Sequence, residues 1–168
     1  MKLSDLASSP ETDGGFVAFF TGHYQEVSKA LFLLTGDPGE AEELAQEAMA
    51  RVCERWDRVR SMESPGGYLY RTALNLHRTG ARRRGRTAAL RFTDSHPGAD
   101  PAQVVEDRSE VLRLLGSLSV PQRQVVVLVE WLGLDSVEAA SLLGIKAASV
   151  RTRLHRARTA LHAAIGED

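Results

Sequence analysis

With 168 residues, 43% of them hydrophobic, the chain is long enough for one ordinary domain or two small ones and too apolar for a disordered or fibrous class. Its single cysteine, Cys53, excludes a disulfide framework, and no apolar run approaches the roughly 20 residues that a bilayer span needs. A formal net charge of -1 gives no sign of a nucleic-acid binder, yet that average conceals strong segregation. Asp37 to Glu47 holds five acidic side chains and no basic one, whereas Arg78 to Arg91 holds six arginines and no acid. Downstream, Asp94 to Glu110 is acidic apart from Arg108, and Lys146 to Arg158 carries Lys146, Arg151, Arg153, Arg156 and Arg158 without a carboxylate. Two basic blocks separated by an acidic stretch suggest two nucleic-acid contacts joined by a linker.

Met1 to Gly15 lacks the apolar core of a secretory signal, so residues 1–15 read as a flexible N-terminus and a cytoplasmic location is expected. From Phe16 the residues Phe19, Phe20, Tyr24, Val27, Leu31 and Leu34 recur three or four apart, the spacing of an amphipathic helix that Thr35-Gly36 ends. Asp37-Pro38-Gly39-Glu40 then reads as a helix start, with Asp37 as N-cap, Pro38 at the first position and Glu40 placed to complete a capping box. The expected buried stripe is Ala41, Leu44, Ala45, Ala48, Met49, Val52, Cys53 and Trp56. Cys53 is read as a small core residue. Glu40, Glu43, Glu47, Arg51 and Glu54 line another face at the same spacing.

Asp57 to Glu63 reads as a polar loop, and Ser64-Pro65 starts a third helix through Tyr68, Leu69, Ala73 and Leu76 into the arginine run. A compact helical domain over residues 16–84 follows. Residues 85–103 show no sustained periodicity and read as a flexible acidic linker. Helical spacing resumes from Val104 through Val111, Leu112, Leu115 and Leu118, and Pro121 opens another helix through Val125, Leu128, Val129 and Leu132. Residues 104–165 form a second domain, so the expected fold is all-α, two small helical domains joined by a linker.

Asp135 is a candidate N-cap with Glu138 three residues on, which places a short helix over Ser136 to Leu143, stopped by Gly144. A helix-turn-helix needs a small residue where its helices cross, a glycine in the turn and an apolar residue holding the second helix; Ala140, Gly144 and Val150 supply these. With Val150, Leu154 and Ala157 inward, the second helix presents Lys146, Ala147, Arg151, Thr152, His155 and Arg156 outward, a hydrogen-bonding surface suited to major-groove base edges and phosphates. Lys146 stands where Ser, Thr, Asp or Asn is favoured, so the first turn of this helix lacks a side-chain cap. An ordinary helical hairpin would not require the acid-free Lys146 to Arg158 stretch.

The segment from Leu118 to Leu161, and "VRTRLHRAR" (Val150 to Arg158) in particular, resembles the C-terminal promoter-binding domain, region four, of extracytoplasmic-function sigma factors. "LLTGDPGEAEELAQEAMARVCERWDRV" followed by "SPGGYLYRTALNLHRTGARRRGR" is similar to region two of that family. The resemblance implies an alternative sigma factor without catalytic residues, cofactor or metal, whose partners are core RNA polymerase, promoter DNA and an anti-sigma factor, with no membrane insertion. It implies that Asp37, Glu40, Glu43, Leu44, Gln46, Glu47 and Arg51 dock on the clamp helices of the largest polymerase subunit. It implies further that Arg60, Met62, Tyr68, Tyr70, Arg71, Asn75, Arg78, Arg82 and Arg83 hold the unwound minus-ten strand, since unpaired bases favour stacking surfaces and a cationic groove. Lys146, Ser149, Arg151, Thr152, His155 and Arg156 would read the minus-thirty-five duplex, and the linker would follow the channel that RNA later occupies.

Tyr68 and Tyr70 lie two apart and cannot share one helix face, so at least one of them is structural. Thr79, Ala139 and Ala148 depart from the family pattern, and Cys53 stands where an aromatic is frequent. No phosphate loop, nucleophile motif or metal-ligand spacing favours an enzyme. Two alternatives are a self-standing regulator that uses only the helix-turn-helix, against which the acidic helix and the first basic block weigh, and an adaptor that binds polymerase without selecting promoters.

Overall fold

The computed structural model describes residues 15–84 and 102–166, with side chains described for 15–81 and 110–166. The N-terminus and most of the expected acidic linker therefore lie outside the described residues. Among the described residues eight α-helices follow in chain order: α1 (Phe16–Thr35), α2 (Pro38–Cys53), α3 (Trp56–Val59), α4 (Pro65–Arg84), α5 (Ala102–Ser117), α6 (Val120–Val126), α7 (Ser136–Leu143) and α8 (Ala147–Ile165). No strand occurs among the described residues.

In α1 the buried residues Phe19, His23, Val27, Ala30, Leu31 and Leu34 keep the three- and four-residue spacing, and Gly36 at φ 71° ends the helix by donating to the Phe32 carbonyl at 2.8 Å. Asp37 caps α2 as expected, accepting from the Glu40 amide at 2.9 Å. The reciprocal half of the capping box is different. The Asp37 amide that Glu40 was expected to bind donates instead to the Thr35 hydroxyl at 3.2 Å. Thr35 thus links the end of α1 to the start of α2 and sets their turn.

Two further expectations are corrected here. Cys53 is exposed, not a core residue: it is the last residue of α2, and the buried stripe ends one position earlier at Val52. The expected polar loop contains the short helix α3, because Trp56 turns back to pack its ring against Phe16 at 5.6 Å and Phe19 at 5.0 Å between centroids.

The C-terminal half is organised around α6. Ser119 precedes it and donates its amide to Gln122 Oε1 at 3.0 Å, a cap that the reading of Pro121 as the start had overlooked. All of Arg123, Gln124, Val125, Val126, Val127 and Leu128 are buried, as in a helix surrounded on every side. The helix widens into a π-turn, Val127–Trp131, with Leu132 donating to the Val127 carbonyl at 3.0 Å, before Gly133 at φ 67° reverses the chain.

The two halves are packed together rather than held apart. One apolar cluster runs from Phe19, Leu31, Leu34 and Leu69 through Val125 and Leu128 to Leu142, Leu143 and Val150. At its edge the Arg123 guanidinium, 3% exposed, donates to the Leu34 carbonyl of α1 at 2.7 Å and to the Leu115 and Leu118 carbonyls at 2.8 and 3.0 Å. Burial pushes its pKa down to about 10, still far above neutrality, so it is a buried cation held by carbonyl dipoles.

Candidate nucleic-acid interface

The helix-turn-helix forms from local signals. The Asp135 carboxylate accepts from the Val137 and Glu138 amides at 2.7 and 2.9 Å, and the Asp135 amide donates to Glu138 Oε2 at 2.9 Å, so both halves of the capping box are made. Gly144 adopts φ 66°, a left-handed conformation that a Cβ would strain, and Ile145 bonds back to the Ala140 carbonyl at 3.1 Å. Val150 and Ala157 are fully buried and seat α8 against α6 and α7. Lys146 occupies the N-cap of α8 and makes no side-chain cap, as its identity predicts.

The outward side of α8 is as its phase requires. Lys146, Arg151, Thr152, His155 and Arg156 are exposed and Ser149 is half-buried. Arg151 leans on the Ser136 hydroxyl at 3.5 Å, at the limit of a hydrogen bond. Arg158, from the same basic block, turns away and pairs with Glu130, its Nη2 at 2.6 Å from one carboxylate oxygen, which ties α8 to the π-turn.

In the N-terminal half, α2 carries Glu43, Gln46, Glu47 and Arg51 exposed on its surface, with Asp37, Glu40 and Leu44 half-buried. Arg51 pairs with Glu47 at 2.9 Å and Gln46 with Glu42 at 3.1 Å, one helical turn apart in each case. The Asp37 carboxylate is already engaged as a cap, so its part on this face is to fix the helix end.

The residues expected to meet an unpaired strand do not share one surface. Tyr68, Arg71 and Asn75 meet in a cleft of about 320 Å³ together with Arg51 and Arg55. Arg55 was missed in the sequence; it lies one turn beyond Arg51 and donates to the Tyr68 hydroxyl at 3.0 Å, which steadies the exposed ring edge. Arg60 and Met62 lie apart in the loop after α3, Arg60 exposed and 3.6 Å from Asp57, and Met62 half-buried against the core. Tyr70 is corrected: it is 2% exposed, enclosed in the core, and offers no ring face to a base. Its hydroxyl is buried beside Glu26, and burial together with that carboxylate raises the phenol pKa. The side chains of Arg82 and Arg83 lie outside the described residues.

Two cations of α4 are held by the other half. Arg71 donates to the Ser141 carbonyl and hydroxyl at 3.2 and 3.4 Å, and Arg78 to the Leu143 carbonyl at 3.2 Å. Gln124 approaches His77 at 3.5 Å behind them.

Residues 19–87 match the family model for sigma-70 region 2, and residues 108–161 match that for sigma-70 region 4. The chain is 32% identical over 126 residues to the RNA polymerase sigma-E factor of Streptomyces coelicolor, spanning 74% of this chain and 71% of that protein. The chain belongs to the extracytoplasmic-function sigma factors. Another relative, the ECF RNA polymerase sigma factor SigC of Mycobacterium tuberculosis, is 31% identical over 148 residues, spanning 86% of this chain and 80% of its own. The fold is similar to that of the sigma factor RpoE from Bartonella quintana, solved with the anti-sigma factor NepR (TM-score 0.73, 21% identity, 91% and 98% of the two chains). It is also similar to CnrH, solved with the cytosolic domain of CnrY (TM-score 0.67, 23% identity, 99% and 96% covered). As a sigma factor the protein is an initiation subunit that works with RNA polymerase on promoter DNA. No helix among the described residues is long and apolar enough to cross a membrane.

Proposed function

We propose that this sigma factor divides promoter recognition between two surfaces, with α8 reading a minus-thirty-five duplex and the cleft beside α4 holding the unwound minus-ten strand. The observation that carries this division is the solvent-facing stripe of Lys146, Arg151, Thr152, His155 and Arg156, on a helix-turn-helix whose first helix is capped at both ends. These are the donors that major-groove edges accept, and α8 is long enough to enter the groove. In the cleft, Tyr68 offers a half-exposed ring and Arg55, Arg71 and Asn75 offer donors to phosphates and base edges, the combination that captures single strands.

The exposed Glu43, Gln46 and Glu47 on α2 form the docking face for polymerase, where acid-rich side chains suit a basic partner. The protein itself carries out no chemistry; it selects where the polymerase starts. Its location is cytoplasmic, where polymerase and promoters are. Because RpoE and CnrH were each solved with a regulatory partner, an anti-sigma factor is the expected controller here as well.

Run-off transcription with purified core polymerase and a promoter library tests the proposal. Initiation from defined start sites is expected, whereas DNA binding without core and no start site would favour a self-standing regulator. Glu43→Lys or Glu47→Lys should weaken core association and leave duplex binding intact. Equal loss of both activities would mean that the surfaces are wrongly assigned.

A further inference from the structure

The Lys146 to Arg158 block that gives α8 its charge carries five cations, and they are not equivalent. Arg158 follows Arg151 by seven residues, two turns of the helix, which places it about 20° from Arg151 round the axis and about 10 Å further along. The exposed stripe of Arg151 and His155 therefore continues through Arg158, which is itself exposed. By phase alone, Arg158 belongs to the surface that faces a duplex.

Its guanidinium is nonetheless drawn aside. Nε and Nη2 donate to the same oxygen of Glu130 at 3.0 and 2.6 Å, short bonds of the charge-assisted kind. Among the described residues Arg158 is the one cation of this block paired with a carboxylate, whereas Arg151 reaches only the neutral Ser136 hydroxyl, at 3.5 Å. Glu130 comes from the π-turn Val127–Trp131, in which Val127 and Leu128 are buried while Glu130 and Trp131 meet solvent. The widened turn thus sets a carboxylate at the surface beside α8, and such turns are frequent at functional sites.

A helix that reads a major groove puts its first turns on base edges, and a cation two turns further on stands over the flanking backbone. A contact there would add affinity for DNA of any sequence and carry no sequence information. Resting on the assignment of α8 to the duplex, we propose that Glu130 is a positioning residue that holds Arg158 off the DNA backbone. Sequence-independent attraction is thereby kept low, and the bases met by Arg151, His155 and Arg156 decide where the protein binds.

The Arg158 and Glu130 side chains are 58% and 47% exposed, so their pairing directs the guanidinium and adds little to stability. Glu130→Ala, alone and combined with Arg158→Gln, should therefore melt close to the wild type. Binding is measured on the full chain with purified core polymerase, using fluorescent duplexes. One duplex carries a minus-thirty-five element selected from the promoter library, and a second carries it scrambled. A third set replaces single phosphates beside the element with uncharged methylphosphonates.

Glu130→Ala should bind the matched and the scrambled duplex each about threefold more tightly, a gain on the scale of one exposed ion pair. It should also become sensitive to a methylphosphonate at one position that the wild type tolerates, and the added Arg158→Gln should abolish that sensitivity. Unchanged or weakened binding by Glu130→Ala overturns the proposal. So does tighter binding with no new phosphate sensitivity, or with a sensitivity that survives Arg158→Gln, because the carboxylate would then act only by its own charge. These results leave the assignment of α8 standing. A wild type that binds matched and scrambled duplexes equally, or neither of them, overturns that assignment and the role of Glu130 with it.

Discussion

The two surfaces built for DNA are in opposite states. The stripe on α8 meets solvent, with Arg151 held only by a 3.5 Å contact to Ser136. On α4 the stripe is partly engaged, with Arg71 and Arg78 each hydrogen-bonded to a carbonyl of a neighbouring helix while Arg71 and Asn75 stay exposed. A run of cations without acids marked α8 and the end of α4 from Arg78 on, whereas Tyr68, Arg71 and Asn75 came from the family resemblance. Charge density along a chain therefore says where a nucleic acid can be held and nothing about whether the surface is available. Availability is decided by what packs against it, and here that is the other half of the molecule.

The comparison can be broken hardest at Arg123. Replacing it with Ala takes the guanidinium from the Leu34 and Leu118 carbonyls and leaves the Leu115 carbonyl with the Leu118 amide alone, and a loss of about 3 kcal/mol in urea unfolding is expected. A loss under about 1 kcal/mol would mean that water serves these carbonyls and that Arg123 does not join the halves.

On the open side, Arg156→Ala should weaken discrimination at one minus-thirty-five position by about 1–3 kcal/mol while core binding is unchanged, read by competition between matched and mismatched duplexes. Uniform weakening across all sequences would instead make Arg156 a phosphate contact. Gly144→Ala sharpens the comparison because the same turn ends the acceptor helix of one surface and begins the reader of the other. A Cβ there meets no atom within 4 Å, so the cost, about 1 kcal/mol in thermal melting, is that of the left-handed backbone alone.

The smallest effect is expected at the two tyrosines of α4. Tyr70→Phe removes a buried hydroxyl beside Glu26, and stability should change by no more than about 1 kcal/mol, with strand binding untouched. Tyr68→Phe keeps the ring but loses the bond from Arg55, so strand binding should change while the melting temperature does not. Reversal of the two results would return Tyr70 to the DNA surface.

The helix-turn-helix was legible because each of its instructions is local. Asp135 and Glu138 are three residues apart, Gly144 stands where a positive φ is required, and the inward phase of Val150 and Ala157 dictates the outward residues. The end of α2 was less legible: a stripe read by spacing alone continues through Cys53 to Trp56, whereas the helix stops and the chain folds back at Arg55 and Trp56. In α4 the reading through Tyr68, Leu69, Ala73 and Leu76 holds for Leu69 and Ala73, which are buried together with Tyr70, Leu74 and His77, while Tyr68 and Leu76 are half-buried, and that phase decides which tyrosine is free. Nothing in the sequence marked Arg123 as a core residue. Its partners lie 5, 8 and 89 positions away, and the last of these belongs to the other half.

The guanidinium caps on α7 have a consequence in ionic strength. A cation resting on neutral carbonyls has cancelled no opposite charge, so these contacts respond weakly to added salt. The same arginine on a phosphate displaces a condensed counterion, and each such contact makes strand binding fall with salt concentration, with a slope near −0.7 per phosphate for single strands. Rising salt thus leaves the contacts of Arg71 and Arg78 with α7 in place while it weakens any contact of the same arginines with a phosphate.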